Sequence, residues 1–340
     1  MKQFIPCLSV ASFLFLTICF APIELLAAPY YEGKVITIIV GHAAGGGYDR
    51  MSRVLARHLP KHIPGKPSII VKNMTGGATL IAANYIYNQA KPDGLTIGGL
   101  NRGLGTTQLM ELEGAKYDFV KFGWIGSASS EPTGLNLRAN LPYKTFADLL
   151  KAKDKKLFIG CTGLGNYSRI IPLLFRDYLG MNIEMVTYPE ASASIQLAIE
   201  KGEVDGHYST ISTYLPLIKR GAIRTFCRGR VTGGDQDLEK LPLNEDLVTH
   251  PKAKGIMQIF SAVDTIARPY LAPPGTPEEI MTILKDAFAK VSKDKELLEE
   301  VDKQQMEFNL IPASEALKVV RGYMSLPADV IQEFKKYDKL

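Results

Sequence analysis

The sequence predicts an α/β protein of two units with a helical tail, and three observations carry that reading. Runs of β-branched residues alternate with segments of helical period over most of the chain. Glycine-rich turns stand twice where such a run gives way to a helix. The length, 340 residues with 46% hydrophobic and 22% charged side chains, suffices for two ordinary cores. The same composition excludes other classes. Its 30 Gly and 20 Pro follow no period, so the chain is neither collagen-like nor low-complexity. Lys+Arg 40 against Asp+Glu 35 leave +5 spread along the chain, which gives no footprint for nucleic acid.

The elements follow in order. Val35 to Val40 is a β-branched run of the kind buried in a parallel sheet. Tyr48 to Leu59 has helical spacing at Met51, Val54 and Leu55, and Pro60 stops it. Ser68 to Val71 is a strand, Thr79 to Gln89 a helix, and Leu95 to Leu100 a strand after the turn Lys91-Pro92-Asp93-Gly94. A second set begins near Trp124. Gly134–Arg138 and Leu157–Gly160 read as strands around a helix that Thr145 caps, with Asp148 three residues on. Tyr167–Tyr178 and Ser192–Lys201 read as helices with the strand Ile183–Thr187 between them, and Val204–Tyr208, Leu215–Lys219 and Ile223–Phe226 continue the alternation. From Glu278 to Leu340 the chain is charged and helical.

Met1 to Ala28 reads as a signal peptide, with Lys2 as the positive start, an apolar stretch from Cys7 to Phe20 and small residues at Ala27 and Ala28. Pro22 and Glu24 interrupt a stable span, and no later apolar run reaches the length of a membrane helix. An exported, freely soluble protein is therefore expected. Cys7 and Cys19 would leave with the leader, and Cys161 and Cys227 are expected to remain as two free, partly buried thiols.

A search for catalytic patterns finds no Walker loop, Gly-x-Ser-x-Gly elbow, His-Glu-x-x-His helix or Cys-x-x-Cys pair. His58 and His62 have metal-ligand spacing, but Pro60 lies between them, and two solvated surface histidines are expected. No metal and no cofactor is expected. Cys161 is the one candidate nucleophile, with His42 and His207 not linked to it in sequence, so an α/β hydrolase or transferase stays open as the enzyme alternative.

The two glycine-rich turns are more telling. Gly41-His42-Ala43-Ala44-Gly45-Gly46-Gly47-Tyr48-Asp49 and Gly160-Cys161-Thr162-Gly163-Leu164-Gly165-Asn166-Tyr167-Ser168 each sit at the carboxyl end of a strand, where α/β sheets place ligands. Without Cβ atoms their N–H groups point inward, and the following helix adds its positive end. Two such turns suggest opposing jaws around an anion.

These residues resemble the Bug/TctC receptors, the periplasmic solute-binding proteins of tripartite tricarboxylate transporters. The run Ile36 to Val40 leading into Ala44-Gly45-Gly46-Gly47-Tyr48-Asp49 is similar to that family's first ligand loop, and Gly160 to Gly165 to its second. Asn73-Met74-Thr75-Gly76-Gly77-Ala78, Pro92-Asp93-Gly94-Leu95-Thr96, Tyr188, Gly202-x-Val204-Asp205 and Ala272 to Pro277 fall in matching order. The resemblance implies a two-domain Venus-flytrap fold of the type II periplasmic class with two crossing hinge strands. Its first domain would be residues 29–127 plus 231–340 and its second residues 128–230. The implied function is capture of a small organic carboxylate in the interdomain cleft for a membrane permease, by a periplasmic monomer that makes and breaks no bonds. By position, His42, Ala44, Gly45, Gly46, Gly47, Tyr48, Asp49, Thr75 and Gly76 form the first jaw. Thr162, Gly163, Gly165, Asn166 and Ser168 form the second, and Tyr188 and Asp205 line the cleft. The family holds its carboxylate largely through main-chain groups and water.

There are departures. Gly41-His42-Ala43 replaces the family's Pro-[Phe/Tyr]-Pro, Pro189-Glu190-Ala191 replaces Lys-Gly-Gly, and Cys161 replaces a Ser. Glu190 at the mouth would repel a second acid group. A protonated His42, with an ordinary pKa near ~6.5, would attract one. Turned inward, the two would favour a ligand other than citrate, a monocarboxylate, but solvated rim positions are the expectation for both. A sensor that closes on the same ligand but docks to a signalling partner is the remaining alternative.

Overall fold

The computed structural model describes residues 28–162, 166–188 and 192–338, and the statements below concern these residues. The expected signal peptide up to residue 27, the glycines of the second loop (Gly163, Gly165) and Pro189-Glu190-Ala191 lie outside them.

Eleven strands form two sheets. They are β1 (Val35–Val40), β2 (Ser68–Asn73), β3 (Thr96–Gly99), β4 (Gly123–Ser127), β5 (Thr133–Arg138), β6 (Leu157–Cys161), β7 (Ile183–Thr187), β8 (Gly206–Thr210), β9 (Ile223–Arg228), β10 (Pro269–Ala272) and β11 (Ile311–Pro312). The first sheet has the order β11-β4-β10-β3-β1-β2 and the second β7-β6-β8-β5-β9. Strand β1 lies inside its sheet between β3 and the edge strand β2. Ile36, Ile38 and Val40 are fully buried and Ile39 nearly so, each contributing about 1.5–3 kcal/mol of apolar burial.

Both sheets are mixed, where alternation alone suggests parallel layers. β1 is parallel to β2 and β3, but β10 enters antiparallel between β3 and β4, and β11 pairs antiparallel with β4. In the second sheet β6 is parallel to β7 and β8, while β5 runs antiparallel to β8 and β9. The cause is the chain's double crossing. It leaves the first sheet after Ser127, enters the second at Thr133, and returns at Pro269. The crossing segments bind one another side by side. Ala128 N donates to Arg268 O (2.9 Å), Ala267 N to Ser129 O (2.9 Å) and Glu131 N to Asp264 O (2.9 Å). Two short antiparallel segments thus join the two α/β bodies.

The Thr145 cap forms as the sequence suggests. Thr145 Oγ1 accepts from Asp148 N at 3.2 Å, and Asp148 Oδ2 accepts from Thr145 N at 2.9 Å. The helix Pro251–Asp264 was not legible. Its buried residues, among them Ile256, Met257, Ile259, Phe260 and Val263, cover several faces because helices lie against it from both bodies, so no single apolar stripe marks it. Strand β11 interrupts the tail that the charge pattern made wholly helical.

Cys161 and Cys227 are both free and fully buried. They lie on β6 and β9 with β8 and β5 between, about 14 Å at ordinary strand spacing, too far for a disulfide. His58 and His62 are not solvated surface residues. His58 Nε2, at the end of the helix Gly47–His58, lies 2.8 Å from Glu300, and His62 Nε2, in the 3-10 turn that follows, 2.7 Å from Asp294, so both tie this segment to the helix Lys295–Lys303 and its N-cap. Lys61 Nζ stands 2.7 Å from Asp294 and 2.6 Å from Glu296, filling the place a cation would take beside His58.

Two glycines test this packing. A Cβ at Gly206 would lie 2.3 Å from Asn136 O and 2.9 Å from Leu137 Cα, both backbone atoms that cannot turn away. Gly206→Ala is expected to lower stability by about 1–3 kcal/mol in urea unfolding. Gly322→Ala, on a helix with open space around it, should raise stability by about 0.5–1 kcal/mol.

Candidate functional site

Strand direction decides where a site can form. β1, β3 and β4 all end on the sheet edge from which the chain crosses, and β6 and β8 end on the facing edge of the second sheet, where Thr210 pairs with Thr133. The two glycine-rich turns leave β1 and β6 at these edges. Contacts between the bodies confirm the apposition. Arg102, just beyond β3, donates Nη2 to Thr210 Oγ1 at 3.1 Å and lies 5.0 Å over the ring of Tyr167, which opens the helix after β6.

In the first jaw, Ala44 and Gly45 to Gly47 are exposed. Gly45 has φ +84, a conformation glycine takes without strain. Gly47 begins the helix Gly47–His58, and a Cβ there would lie 2.8 Å from Arg268 Nη1, so glycine permits the guanidinium to rest on the backbone. Gly46 as N-cap offers no side-chain acceptor, which leaves the first-turn N–H groups without a side-chain cap. Asp49 is not available to a ligand. It is buried, its Oδ2 accepts from Gly45 N (2.8 Å) and Arg53 Nε (2.9 Å), and its Oδ1 accepts from Asn73 Nδ2 (2.9 Å). Burial opposes its charge, but these donors hold its carboxyl below the usual range. Asn73 also donates to His42 O at 2.9 Å, tying the loop after β2 to the first. Thr75 and Gly76 are exposed on that second loop.

His42 stacks on Tyr48 with centroids 4.2 Å apart. Asn101 Oδ1 accepts from Gly103 N, so its Nδ2 donates to His42 Nε2 at 3.2 Å, and the neutral ring carries its proton on Nδ1. That Nδ1 is buried without a partner. Burial, then the charge of Arg268, pushes the imidazole down to about 4. His42 is therefore no solvated rim residue, and its ring is neutral at pH 7 and offers no positive charge to a second acid group. Tyr48 donates to Ala267 O (2.8 Å) and accepts from Arg102 N (3.1 Å), joining loop, strand end and crossing segment.

The residues sequence reasoning missed lie beneath this loop. Arg268 gives Nε (2.7 Å) and Nη2 (2.5 Å) to Glu131 Oε1. Arg102 Nη1 is 3.8 Å from Glu131 Oε2 and 3.5 Å from Asp264 Oδ1, and Thr133 Oγ1 donates to Asp264 Oδ2 at 2.5 Å. Burial would raise Glu131, yet Arg268 and Arg102 keep it below the usual range. Burial prevails at Asp264, raised to about 7. The available sequence signal was position: Arg102 and Arg268 directly flank strands at the edge where the glycines cluster.

In the second jaw, Asn166 Oδ1 accepts from Ser168 N (2.9 Å), and Ser168 Oγ accepts from Thr162 N (3.2 Å). These side chains brace the loop from within. Tyr188 follows β7, half-buried, its N donating to Cys161 O at 2.8 Å. Asp205 is placed elsewhere. It precedes β8, at the far end of the sheet, and binds Arg138 Nη2 (2.7 Å), Arg138 Nε (2.9 Å) and Phe158 N (2.9 Å), so it lines no cleft. Cys161 and His207 do not form a dyad. His207 pairs with Gly160, so it points to the face opposite Cys161, where its Nδ1 meets Tyr214 at 2.8 Å.

Two α/β bodies joined by a double crossing, with loops facing across the join, define the class of two-domain binding proteins. The description "Tripartite tricarboxylate transporter family receptor" matches residues 51–335, and the chain belongs to that family. An Agrobacterium vitis protein of the UPF0065 group is 31% identical over 51% of this chain and 50% of its own length. A UPF0065 protein of Bordetella pertussis is 23% identical over 90% of this chain and 91% of its own. Among solved structures, a TctC solute-binding protein from Polaromonas has a TM-score of 0.68 at 24% identity, covering 91% of this chain and all of that one. MatC of Rhodopseudomonas palustris with bound malate has 0.65 at 19%, covering 90% and 99%. An R. palustris protein with adipate has 0.65 at 22%, covering 90% and 97%. Family and fold are those of solute-binding proteins.

The His42 environment has a measurable consequence. Its folded pKa lies below the unfolded value near ~6.5, so the stability it contributes is present above that value and is lost as pH falls toward 4. NMR titration should find the imidazole neutral above about pH 5. His42→Gln should remove up to about 3 kcal/mol from the difference between urea stabilities at pH 7 and pH 4. An imidazole titrating at 6 or above contradicts this.

Proposed function

We propose that the chain is a periplasmic receptor that captures a small organic carboxylate in the cleft between its domains and delivers it to the membrane subunits of a tripartite tricarboxylate-type permease. One observation carries the reading: β1 and β6, the strands that lead into the two glycine-rich segments, end at facing sheet edges, with the uncapped start of the helix Gly47–His58 and buried Arg102 on the first body and Thr210, which Arg102 reaches, on the second. An anion held between the edges contacts both bodies and so favours their closed arrangement. Malate and adipate in two proteins of the same fold support the ligand class. In this reading residues 29–127 plus 231–340 form one domain and residues 128–230 the other, the leader is removed on export, and the receptor works as a monomer without catalysis. The opposite orientation of Cys161 and His207 takes support from the enzyme alternative.

Thermal unfolding of the exported protein against acetate, benzoate, malate, adipate and citrate tests it. A ligand bound only by the folded state adds about 2.7 kcal/mol at a hundredfold excess over Kd. One acid class is expected to raise the midpoint by several degrees. No shift with any acid, in protein shown ligand-free by native mass spectrometry, rejects carboxylate capture.

A further inference from the structure

The cleft floor holds more cationic hydrogen-bond donors than its own acceptors satisfy. Arg268 spends Nε and Nη2 on one oxygen of Glu131, and its Nη1, shielded from solvent, donates to no acceptor. Arg102, with a side chain only 6% exposed, gives Nη2 to Thr210, and its shielded Nη1, 3.5 Å from Asp264 Oδ1 and 3.8 Å from Glu131 Oε2, makes a hydrogen bond to neither. The neutral ring of His42 adds a third unpaired buried donor, Nδ1–H. Native proteins leave few buried donors unpaired, and a cluster of them marks a place that a ligand completes.

Two further facts give the ligand's charge. Arg268 lies against Gly47, the first residue of a 12-residue helix without a side-chain cap. A cation at the positive end of a helix is the reverse of the stable arrangement, and an anion between them resolves it. Of the carboxylates nearby, only Glu131 is held below the usual range by the two guanidinium groups. Glu131 is held ionised, but burial raises both Asp264 and Glu307 to about 7.

We infer that Arg268 and Arg102 form a direct side-chain seat for one ligand carboxylate, closed against Gly47 of the first jaw. This rests on the carboxylate-capture reading and changes its chemistry: the acid group makes charge-assisted hydrogen bonds to Nη1 of the two guanidiniums, in addition to main-chain contacts. Two carboxylate oxygens match two Nη1 groups in number. Because Arg102 touches Thr210 and Tyr167 of the other body, opening at the crossing segments uncovers the seat, and closure buries the bound acid. One seat selects for one acid group, and the remainder of the ligand is left for the second jaw to read.

Calorimetry with the exported protein tests this, using acetate, benzoate, malate, adipate and citrate, each beside its neutral amide. Wild type should prefer at least one acid to its amide by about tenfold or more. The pair Arg268→Gln with Glu131→Gln removes both buried charges together, so neither is stranded. It should weaken that acid by about 30-fold and reduce its preference over the amide, Arg102 remaining as the one cation of the seat. Glu131→Gln alone leaves Arg268 unmatched and should tighten acid binding. Acid affinity in the paired variant within about threefold of wild type, or an undiminished preference for acid over amide, overturns the seat and leaves carboxylate capture standing on main-chain contacts. If circular dichroism shows the paired variant unfolded, Glu131→Gln decides, and unchanged or weaker acid binding overturns the seat. Wild type that binds none of the acids overturns both readings.

Discussion

The interaction on which the rest depends is the buried charge cluster where the chain crosses between its two sheets. Glu131 comes from one crossing segment and Asp264 and Arg268 from the other, while Arg102 reaches in from the loop after β3. Taking such charges out of water is costly unless every one is met by a partner, and removing one partner strands the others at about 3–5 kcal/mol. The cluster therefore ties together segments that apolar packing would leave free to slide. It also defines one arrangement of the two bodies, because Arg102 completes its contacts only when Thr210 and Tyr167 are brought over it.

The glycine loop serves this cluster as much as it serves a ligand. Gly47 lets the Arg268 guanidinium rest on the backbone, where a Cβ would lie 2.8 Å from Nη1 and push it aside. Asp49, the acid of the first turn, is consumed in holding Gly45, Arg53 and Asn73 in place. The jaw thus has internal bracing from an anion and an outward surface of bare N–H groups and a cation. At the second jaw, Ser168 N donates to Asn166 Oδ1 and Thr162 N to Ser168 Oγ, so these side chains also serve their own backbone.

Much of the fold was legible because it is local. The β-branched run of β1, the Pro60 stop and the Thr145–Asp148 cap act within a few residues, and each stands where the sequence suggests. Errors arose where a segment answers to distant partners. The helix Pro251–Asp264 has no single stripe because it is covered from several sides, and β10 joins its sheet as four residues between two strands from far earlier in the chain. Asp205 illustrates the same point at the site. Its place in a family motif grouped it with the cleft, but β8 begins there and ends at the cleft five residues later, at Thr210.

By itself, the sequence determined the α/β alternation, the two anion-suited turns and the family to which they belong, because spacing and glycine content act through neighbouring residues. Only the tertiary structure decided which charged side chains share the cleft floor. Arg102, Glu131, Asp264 and Arg268 carry no common motif, and their meeting follows from strand order and from the chain crossing twice at one edge. The titration of His42 depends on tertiary structure too, since burial, then the charge of Arg268, lowers its pKa to about 4.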